Sequence, residues 1–257
     1  MTDPIAQYLD AAAACLEHIR RTQTDAVRRA ARLFADAILA DRLVHVFGTG
    51  HSRMAVEEMF PRYGSFPGFH PIVELSMTFH NPVVGANGQR QAMFLENVQG
   101  FGPVLWRNFV TDPRDVLLAI STSGCNAVTI DVAAEAKRRG MTVVAMTAAA
   151  HEAVSVSKHQ SGRKLRDFAD LMLDNGAPAG DSAVRIEGLA TPVSPISSVG
   201  GCTVINLLKA ETARLLTEAG KPPPVLTAAC HVGAAGAAEL FERTYDEYRR
   251  RVGALYR

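Results

Sequence analysis

Two short segments rich in glycine and hydroxyl side chains have the composition of phosphate-binding loops. Each follows an apolar run of about five residues and precedes a helical pattern. Such a loop offers backbone N–H groups, hydroxyls and the positive end of a helix, which together suit a phosphate monoester. One such loop alone fits an ordinary turn with a capping serine equally well, so the prediction depends on finding two. The candidate phosphate ligands are Gly48, Thr49, Gly50, His51, Ser52, Ser121, Thr122, Ser123 and Gly124.

The elements that would position these loops follow from apolar periodicity. Predicted strands alternate with predicted helices, which indicates parallel βαβ units. We expect a three-layer αβα fold with a five-stranded parallel sheet in the flavodoxin-like order 2-1-3-4-5. Strands one and three then flank the topological switch point, so both loops open into one crevice. The predicted strands are Leu43–Phe47, Ile72–Leu75, Val116–Ile120, Met141–Thr147 and Phe168–Leu173.

We expect a single domain in three parts. Residues 1–40 form a helical arm with a break near Thr22 to Thr24, residues 41–220 the α/β core, and residues 221–257 a C-terminal extension. An apolar-striped arm packs either on its own core or on a second subunit, and we favour a homodimer or a higher homo-oligomer. The other predicted helices are Arg53–Phe60, Gln91–Phe101, Cys125–Arg139, Gly201–Ala219 and Ala237–Arg250.

Composition excludes several classes of protein. The chain has 257 residues, 47% of them hydrophobic, and 27 Lys and Arg against 26 Asp and Glu, a net charge of +1. It is therefore not a disordered chain, and without a basic excess we expect no nucleic-acid partner. No uncharged apolar run reaches about 18 residues, so we expect no membrane partner. The N-terminal residues lack a secretory signal pattern, and the four cysteines are widely spaced, typical of free thiols. We therefore expect a cytoplasmic protein.

Other phosphate and metal motifs are absent. The P-loop pattern GxxxxGK[ST] does not occur. A dinucleotide fingerprint would need glycine where Arg53 stands, and Glu74 follows Gly48 by 26 residues instead of about 20. None of the eight histidines has another four residues away on a helix. We expect neither a cofactor nor a metal.

The two loops resemble those of the sugar isomerase (SIS) family. The resemblance covers roughly residues 30–215. It extends to Lys158–Leu165 and Asp174–Asp181, which are similar to stretches of a bacterial subfamily whose members mostly lack a proven substrate. The resemblance implies phosphosugar binding. The family includes isomerases, an etherase, a deaminase and sensors without catalytic activity, so it leaves the reaction open.

Carboxylates near the first loop are candidate bases. Aldose–ketose isomerisation needs a base that moves a proton between C1 and C2. Glu57 and Glu58 follow the first loop on one helix; we favour Glu58 for the site, and the alternative for either residue is a solvent-facing side chain. The stretch from Glu58 to Gly64 is similar to one in N-acetylmuramic acid 6-phosphate etherases, whose catalytic glutamate corresponds to Glu58. Their second acid corresponds to Gln99 here, although Glu96, three residues earlier, could substitute.

Histidines are candidate proton shuttles, and three outside the loops deserve a test. His80 lies in an irregular segment, and His159 lies in the loop after strand four, at the ligand edge of the sheet. In related isomerases a late histidine, often from the neighbouring subunit, acts as acid or base, and His231 is a candidate counterpart here, although no motif marks it. We predict Glu58 as base with assistance from one of these histidines.

Three functions stay open at this point. The first is an isomerase acting on a sugar phosphate. The second is an etherase-like lyase, which the Glu58 stretch supports and Gln99 opposes. The third is a phosphosugar sensor that regulates a partner and performs no chemistry.

Overall fold

The structure is a computed structural model that describes residues 3–78 and 88–257. Its helices are α1 (Pro4–Thr22), α2 (Thr24–Leu39), α3 (Arg53–Met59), α4 (Leu75–Thr78), α5 (Gly88–Leu95), α6 (Phe101–Trp106), α7 (Ala127–Arg138), α8 (Ala149–Val154), α9 (Ser197–Glu218) and α10 (Ala229–Val252). Its strands are β1 (Val44–Gly48), β2 (Phe69–Ile72), β3 (Val116–Ile120), β4 (Thr142–Thr147), β5 (Leu171–Asp174), β6 (Ser182–Val184) and β7 (Val193–Pro195). Within these residues, no helix combines the length and apolarity needed to span a bilayer.

Five parallel strands form the central sheet in the order β2-β1-β3-β4-β5, which confirms the predicted order. The register between β1 and β3 places Gly48 opposite Ile120. The residues that follow these two positions, Thr49 and Ser121, therefore leave the sheet at the same level. The two hydroxyl-rich loops start side by side at the carboxyl edge.

Helices cover both faces of the sheet, as predicted, because its strands are apolar on both sides. In β3 all five residues are buried. Val116, Leu118 and Ile120 join a core with α1, α2, α3 and α9, whereas Leu117 and Ala119 join a second core with α6 and α7. Alternating residues of a strand point to opposite faces, so one short apolar run supplies both layers.

Both terminal extensions pack on the first of these cores. Ile19 of α1 is buried there, and Tyr245 and Tyr248 of α10 pack against it. The predicted break between the first two helices is confirmed at Gln23, which separates α1 from α2. All four cysteines are free thiols, as expected. The three-part division of the chain stays a prediction.

The helix predicted over Gln91–Phe101 is wrong, because the structure has α5 and α6 with a break between them. Gly100, just before α6, has a φ of 79°, a backbone conformation that glycine adopts most readily. Its N–H donates to the carboxylate of Asp131 at 2.6 Å. Asp131 of α7 therefore accepts the Gly100 N–H, which in a continuous helix would donate to a carbonyl oxygen of the preceding turn.

The second strand is Phe69–Ile72 instead of the predicted Ile72–Leu75, and the last helix begins at Ala229 instead of Ala237. At two further boundaries, side chains compete with the periodic pattern. The fifth strand begins at Leu171 instead of Phe168, since Asp170 accepts hydrogen bonds from Val143 N–H and Lys137 and ends the preceding turn. Helix α9 begins at Ser197 instead of Gly201. The Asp181 carboxylate accepts from the N–H (2.7 Å) and hydroxyl (2.6 Å) of Ser197 and so caps the helix. The hairpin of β6 and β7 was not predicted.

A buried polar cluster lies at the amino end of the sheet. His45 and His70 are cross-strand neighbours whose Nδ1 atoms are 2.9 Å apart. The Nε2 of His45 lies 3.5 Å from the carboxylate of Asp115, which also binds Arg42. Burial, and then the neighbouring His45, lower the pKa of His70 to about 3.

We expect stability to fall on mild acidification because of His70. Its unfolded pKa is about 6.5, so between that pH and about pH 3 the unfolded chain binds the additional proton. Stability therefore rises with pH across this window, and the loss from pH 7.5 to 5 is about 2 kcal/mol. Urea unfolding at the two pH values measures it. His70→Phe should flatten the dependence, and the exposed His231→Phe should not; an unchanged slope in His70→Phe would refute the assignment.

Candidate functional site

A cavity of about 320 Å³ opens at the carboxyl edge of the sheet, between the two hydroxyl-rich loops. Seven of the nine predicted phosphate ligands line it, and Gly48 and Gly124 complete the backbone of the loops behind them. The cavity thus lies at the switch point between β1 and β3, where ligands of doubly wound sheets bind. Its lining residues are Thr49, Gly50, His51, Ser52, Gln89, Met93, Glu96, Ser121, Thr122, Ser123, Asn126, His151, Lys158, Asp181 and Ser197.

The first loop turns sharply from β1 into α3 and depends on its glycines. A Cβ at Gly48 would lie 3.0 Å from the carbonyl oxygen of Ser52, and Gly50 has a φ of 55°. These two positions let the backbone fold back within a few residues. The turn buries Thr49 and directs its hydroxyl to the neighbouring carboxylate of Glu96.

The second loop is held from below by an ion pair between the buried Glu152 and the half-exposed Arg166. Glu152 is fully buried and binds Arg166 through Nε (2.8 Å), with the Thr147 hydroxyl at 3.0 Å. Gly124 has a φ of 63°, and a Cβ there would lie 3.2 Å from the side chains of Glu152 and Thr147. Because Gly124 has no side chain, the backbone of the second loop can lie in close contact with Glu152. Helix α7 begins three residues later, at Ala127, with its N-terminus towards the cavity.

Two carboxylates line this cavity, Glu96 and Asp181, and Glu96 is the more deeply buried of the two. It is 3% exposed, and its Oε2 accepts the Thr49 hydroxyl at 2.8 Å. Its carbonyl oxygen accepts the N–H of Val128 in the first turn of α7, which fixes the backbone beside the second loop. Burial raises the pKa of the carboxyl above its ordinary value, against the opposing effects of Thr49, Lys158 and Asn126. A carboxylate whose pKa is raised is a stronger base than an exposed glutamate, and its acid form can return the proton.

Glu58 lies in a separate groove of about 520 Å³, lined also by Glu57, Met54 and Arg62. This groove shares no lining residue with the cavity of the loops. A narrow cleft lined by Met54, His51 and Ser52 lies between them.

The Glu58 carboxylate is already surrounded by donors. It binds Arg62, accepts Asn206 Nδ2 at 2.8 Å, and lies 3.6 Å from Lys209 Nζ. Burial opposes the effect, but the hydrogen bonds of Asn206 and Arg62 and the charge of Lys209 lower its pKa. The surroundings of Glu58 therefore stabilise its charged form and weaken it as a base.

The predicted histidines lie in different places. His51 lines the cavity. His159 lies outside its lining, with Nε2 3.0 Å from Asp131 Oδ1 and Nδ1 2.7 Å from the Ser161 hydroxyl. His231 is exposed near the start of α10. His80 lies outside the described residues, and the roles of all four stay predictions.

Sequence reasoning missed His151, which lines the cavity from α8 and whose buried Nδ1 has no hydrogen-bond partner among the described residues. Its position four residues after the end of β4 is the signal that could have found it, since every strand end of this sheet faces the same edge. Asp181 and Ser197 also line the cavity, but nothing in their spacing predicted it. No group of three or more metal-ligating side chains occurs in the part of the chain that the structure describes.

Known proteins resemble the chain along nearly its whole length. The family model described as SIS domain matches residues 7–148. A UPF0309 protein of Thermoanaerobacter pseudethanolicus is 31% identical over 255 residues, covering 98% of this chain and all of that protein. Another, of Halalkalibacterium halodurans, is 30% identical over 249 residues, covering 96% of this chain and 99% of that one.

Among solved structures, a phosphoheptose isomerase from Francisella tularensis has a similar fold. Its TM-score is 0.51 at 16% sequence identity, and the match covers 82% of this chain and 96% of that one. At this identity the likeness concerns the fold alone, and the sheet order and flanking helices agree with it. With more than half of its residues matched by the family model, and full-length relatives in the UPF0309 group, this chain belongs to the SIS-domain family.

Proposed function

We propose that the chain binds a sugar phosphate and isomerises it between its aldose and ketose forms. One observation carries the proposal: the two hydroxyl-rich loops and the buried carboxylate of Glu96 line the same cavity. A phosphate monoester would take hydrogen bonds from the loops and the N-terminus of α7, which needs no cluster of lysine or arginine. The phosphoheptose isomerase of similar fold supports a sugar phosphate as the substrate class.

In this proposal Glu96 transfers the proton. The ionised carboxylate removes the proton from C2 of the open-chain aldose, giving an enediol, and returns it to C1 to form the ketose. We assign the transfer of the hydroxyl proton between O1 and O2 to His151, because its side chain lines the same cavity and its buried Nδ1 has no hydrogen-bond partner among the described residues. Atoms and electrons balance within the sugar, so the reaction needs no oxidant or cofactor.

Glu58 is the competing base, as the etherase-like stretch predicts. Etherase chemistry would also need a second acid at the position of Gln99. The Gln99 side chain instead donates to the carbonyl oxygen of Lys158 (3.0 Å) and accepts the N–H of Gln160 (3.1 Å). These contacts hold the loop of residues 158–160, and Gln99 lies outside the lining of the cavity. Glu96 could replace it as the second acid, but Glu96 and Glu58 lie in different cavities. This separation favours the isomerase over the lyase.

Turnover in D₂O tests the function. The protein is incubated with hexose, pentose, heptose and amino sugar phosphates, including N-acetylmuramic acid 6-phosphate, and with the free sugars. We expect ketose formation with deuterium incorporated at the carbon that exchanges its proton, for one phosphate class and for none of the free sugars. Binding without turnover would instead identify a sensor, lactate release an etherase, and equal binding of free sugars would refute the phosphate site.

A homodimer stays part of the proposal. Helix α1 exposes Ile5 (71%) and Leu9 (63%), apolar side chains that a second subunit could cover. The predicted contribution of His231 would then come from the partner subunit.

A further inference from the structure

A groove rich in arginine lies at the opposite, amino edge of the sheet, beside the first residues of β4 and β5. Its volume is about 730 Å³. Arg28, Arg29 and Arg32 of α2 form one wall and Arg214 of α9 the other. We call it the arginine groove. Its floor consists of Leu33, Leu171 and Leu215.

The acidic side chains of the groove already have cationic partners. Asp170 accepts Lys137 Nζ at 2.7 and 2.9 Å, and Glu211 accepts Arg214 at 2.9 and 2.7 Å. Hydrogen bonding to Arg214, and more weakly the charges of Arg28 and Arg32, lower the pKa of Glu211. Arg28 and Arg32 of α2 are therefore close enough to affect the Glu211 carboxylate on the opposite wall of the groove.

Arg29 and Arg32 have neither an ion pair nor a hydrogen bond within residues 3–78 and 88–257. Together with Arg28 they place three like charges within two turns of one helix, an arrangement that destabilises an isolated helix. Arg214, in contrast, is fixed by Glu211 and Glu218. The groove thus holds unneutralised positive charge within a concave surface, which attracts anions from solution.

We propose that the arginine groove binds an organic di- or triphosphate, of the nucleotide class, with its phosphates on Arg29 and Arg32 and its body on the leucine floor. Guanidinium groups bind phosphate oxygens through paired hydrogen bonds, which suits adjacent phosphates better than single ones. The volume lies within the usual range for small-molecule sites and far exceeds that of one phosphate ion. The apolar floor provides contact area that an inorganic anion would leave unused.

Calorimetric titration of the full chain with ATP and with pyrophosphate, without divalent cations, tests this proposal. We expect ATP to bind several-fold more tightly than pyrophosphate, and ATP binding to weaken at high salt. The double variant Arg29→Gln/Arg32→Gln should weaken ATP binding at least about tenfold. The matched control, Arg20→Gln/Arg21→Gln at the end of α1, removes the same charge outside the groove and should leave the affinity within about twofold.

Three outcomes would overturn the proposal. They are no ATP binding by the unmodified chain, equal weakening by both double variants, and unchanged ATP binding in Arg29→Gln/Arg32→Gln. The last outcome would assign ATP to the cavity of the loops or to another site. Pyrophosphate binding as tight as ATP would overturn the role of the leucine floor. Because none of these variants lies in the cavity of the loops, the result is independent of the proposed isomerase activity.

Discussion

Glu96→Gln is expected to lower the turnover number of the proposed isomerisation by about 10²- to 10⁴-fold, the usual contribution of a positioned acid–base group. Glutamine keeps the size of the side chain and an oxygen that can accept the Thr49 hydroxyl, now 2.8 Å from Oε2. The cavity should therefore keep its shape, and substrate affinity should change little. The loss would fall on turnover because an amide cannot take a proton from C2.

The pH profile separates this role from a structural one. Burial raises the pKa of Glu96, so the basic form becomes populated at a higher pH than for an exposed glutamate. The acidic limb of kcat/KM should consequently have an apparent pKa above about 4.5. It should disappear from the residual activity of Glu96→Gln. A purely structural role would lower activity and keep the limb.

Glu58→Gln is the matched comparison, since it is the same substitution in the neighbouring groove. We expect a decrease smaller than about tenfold, because Arg62, Asn206 and Lys209 hold the Glu58 carboxylate in its charged form. The opposite ranking, with Glu58→Gln inactive and Glu96→Gln active, would establish Glu58 as the base. Our assignment of Glu96 would then be wrong, although the proposed activity would stand.

Asp115→Ala is expected to destabilise the fold by about 3–5 kcal/mol. The carboxylate is fully buried and accepts Arg42 Nε and Nη2 (3.0 Å each), Leu43 N–H (3.1 Å) and Asp112 N–H (2.8 Å). In Asp115→Ala, the Arg42 guanidinium and the two backbone N–H groups would lose their acceptor at once, at a site that is shielded from water. The loss would be a large part of a typical total stability of about 5–15 kcal/mol.

Urea unfolding at pH 7.5 measures this effect, with Asp112→Ala as the control. Asp112 is 26% exposed and pairs mainly with Arg114, so its loss should amount to about 1 kcal/mol or less. Asp115→Asn, which keeps one acceptor oxygen, should lie between the two. Equal destabilisation by Asp115→Ala and Asp112→Ala would show that the buried network contributes little beyond a surface pair.

Local patterns were sufficient for the sheet and the loops. The run Val116–Ile120 is apolar throughout and ends in STSG, so both the strand and the polar loop were evident. Alternation with helices then predicted the parallel order, which the structure confirms. Element boundaries failed where a distant side chain competes with the periodic pattern, as Asp131 does at Gly100 and Asp181 at Ser197.

The sequence by itself determined that two hydroxyl-rich loops follow strands one and three, since the chemistry of a strand end is written in adjacent residues. It could not decide which carboxylate joins them. Glu58 follows the first loop on a helix, and Glu96 lies three residues before Gln99, so both were candidates. In the structure, the Glu96 carbonyl oxygen accepts the N–H of Val128 in α7, and the Glu96 carboxylate accepts the Thr49 hydroxyl. The burial that raises the pKa of Glu96 also depends on the tertiary structure. The same is true of the arginine groove, where Arg29 and Arg214 come together from distant helices. These properties depend on residues far apart in the chain, and no local pattern records such contacts.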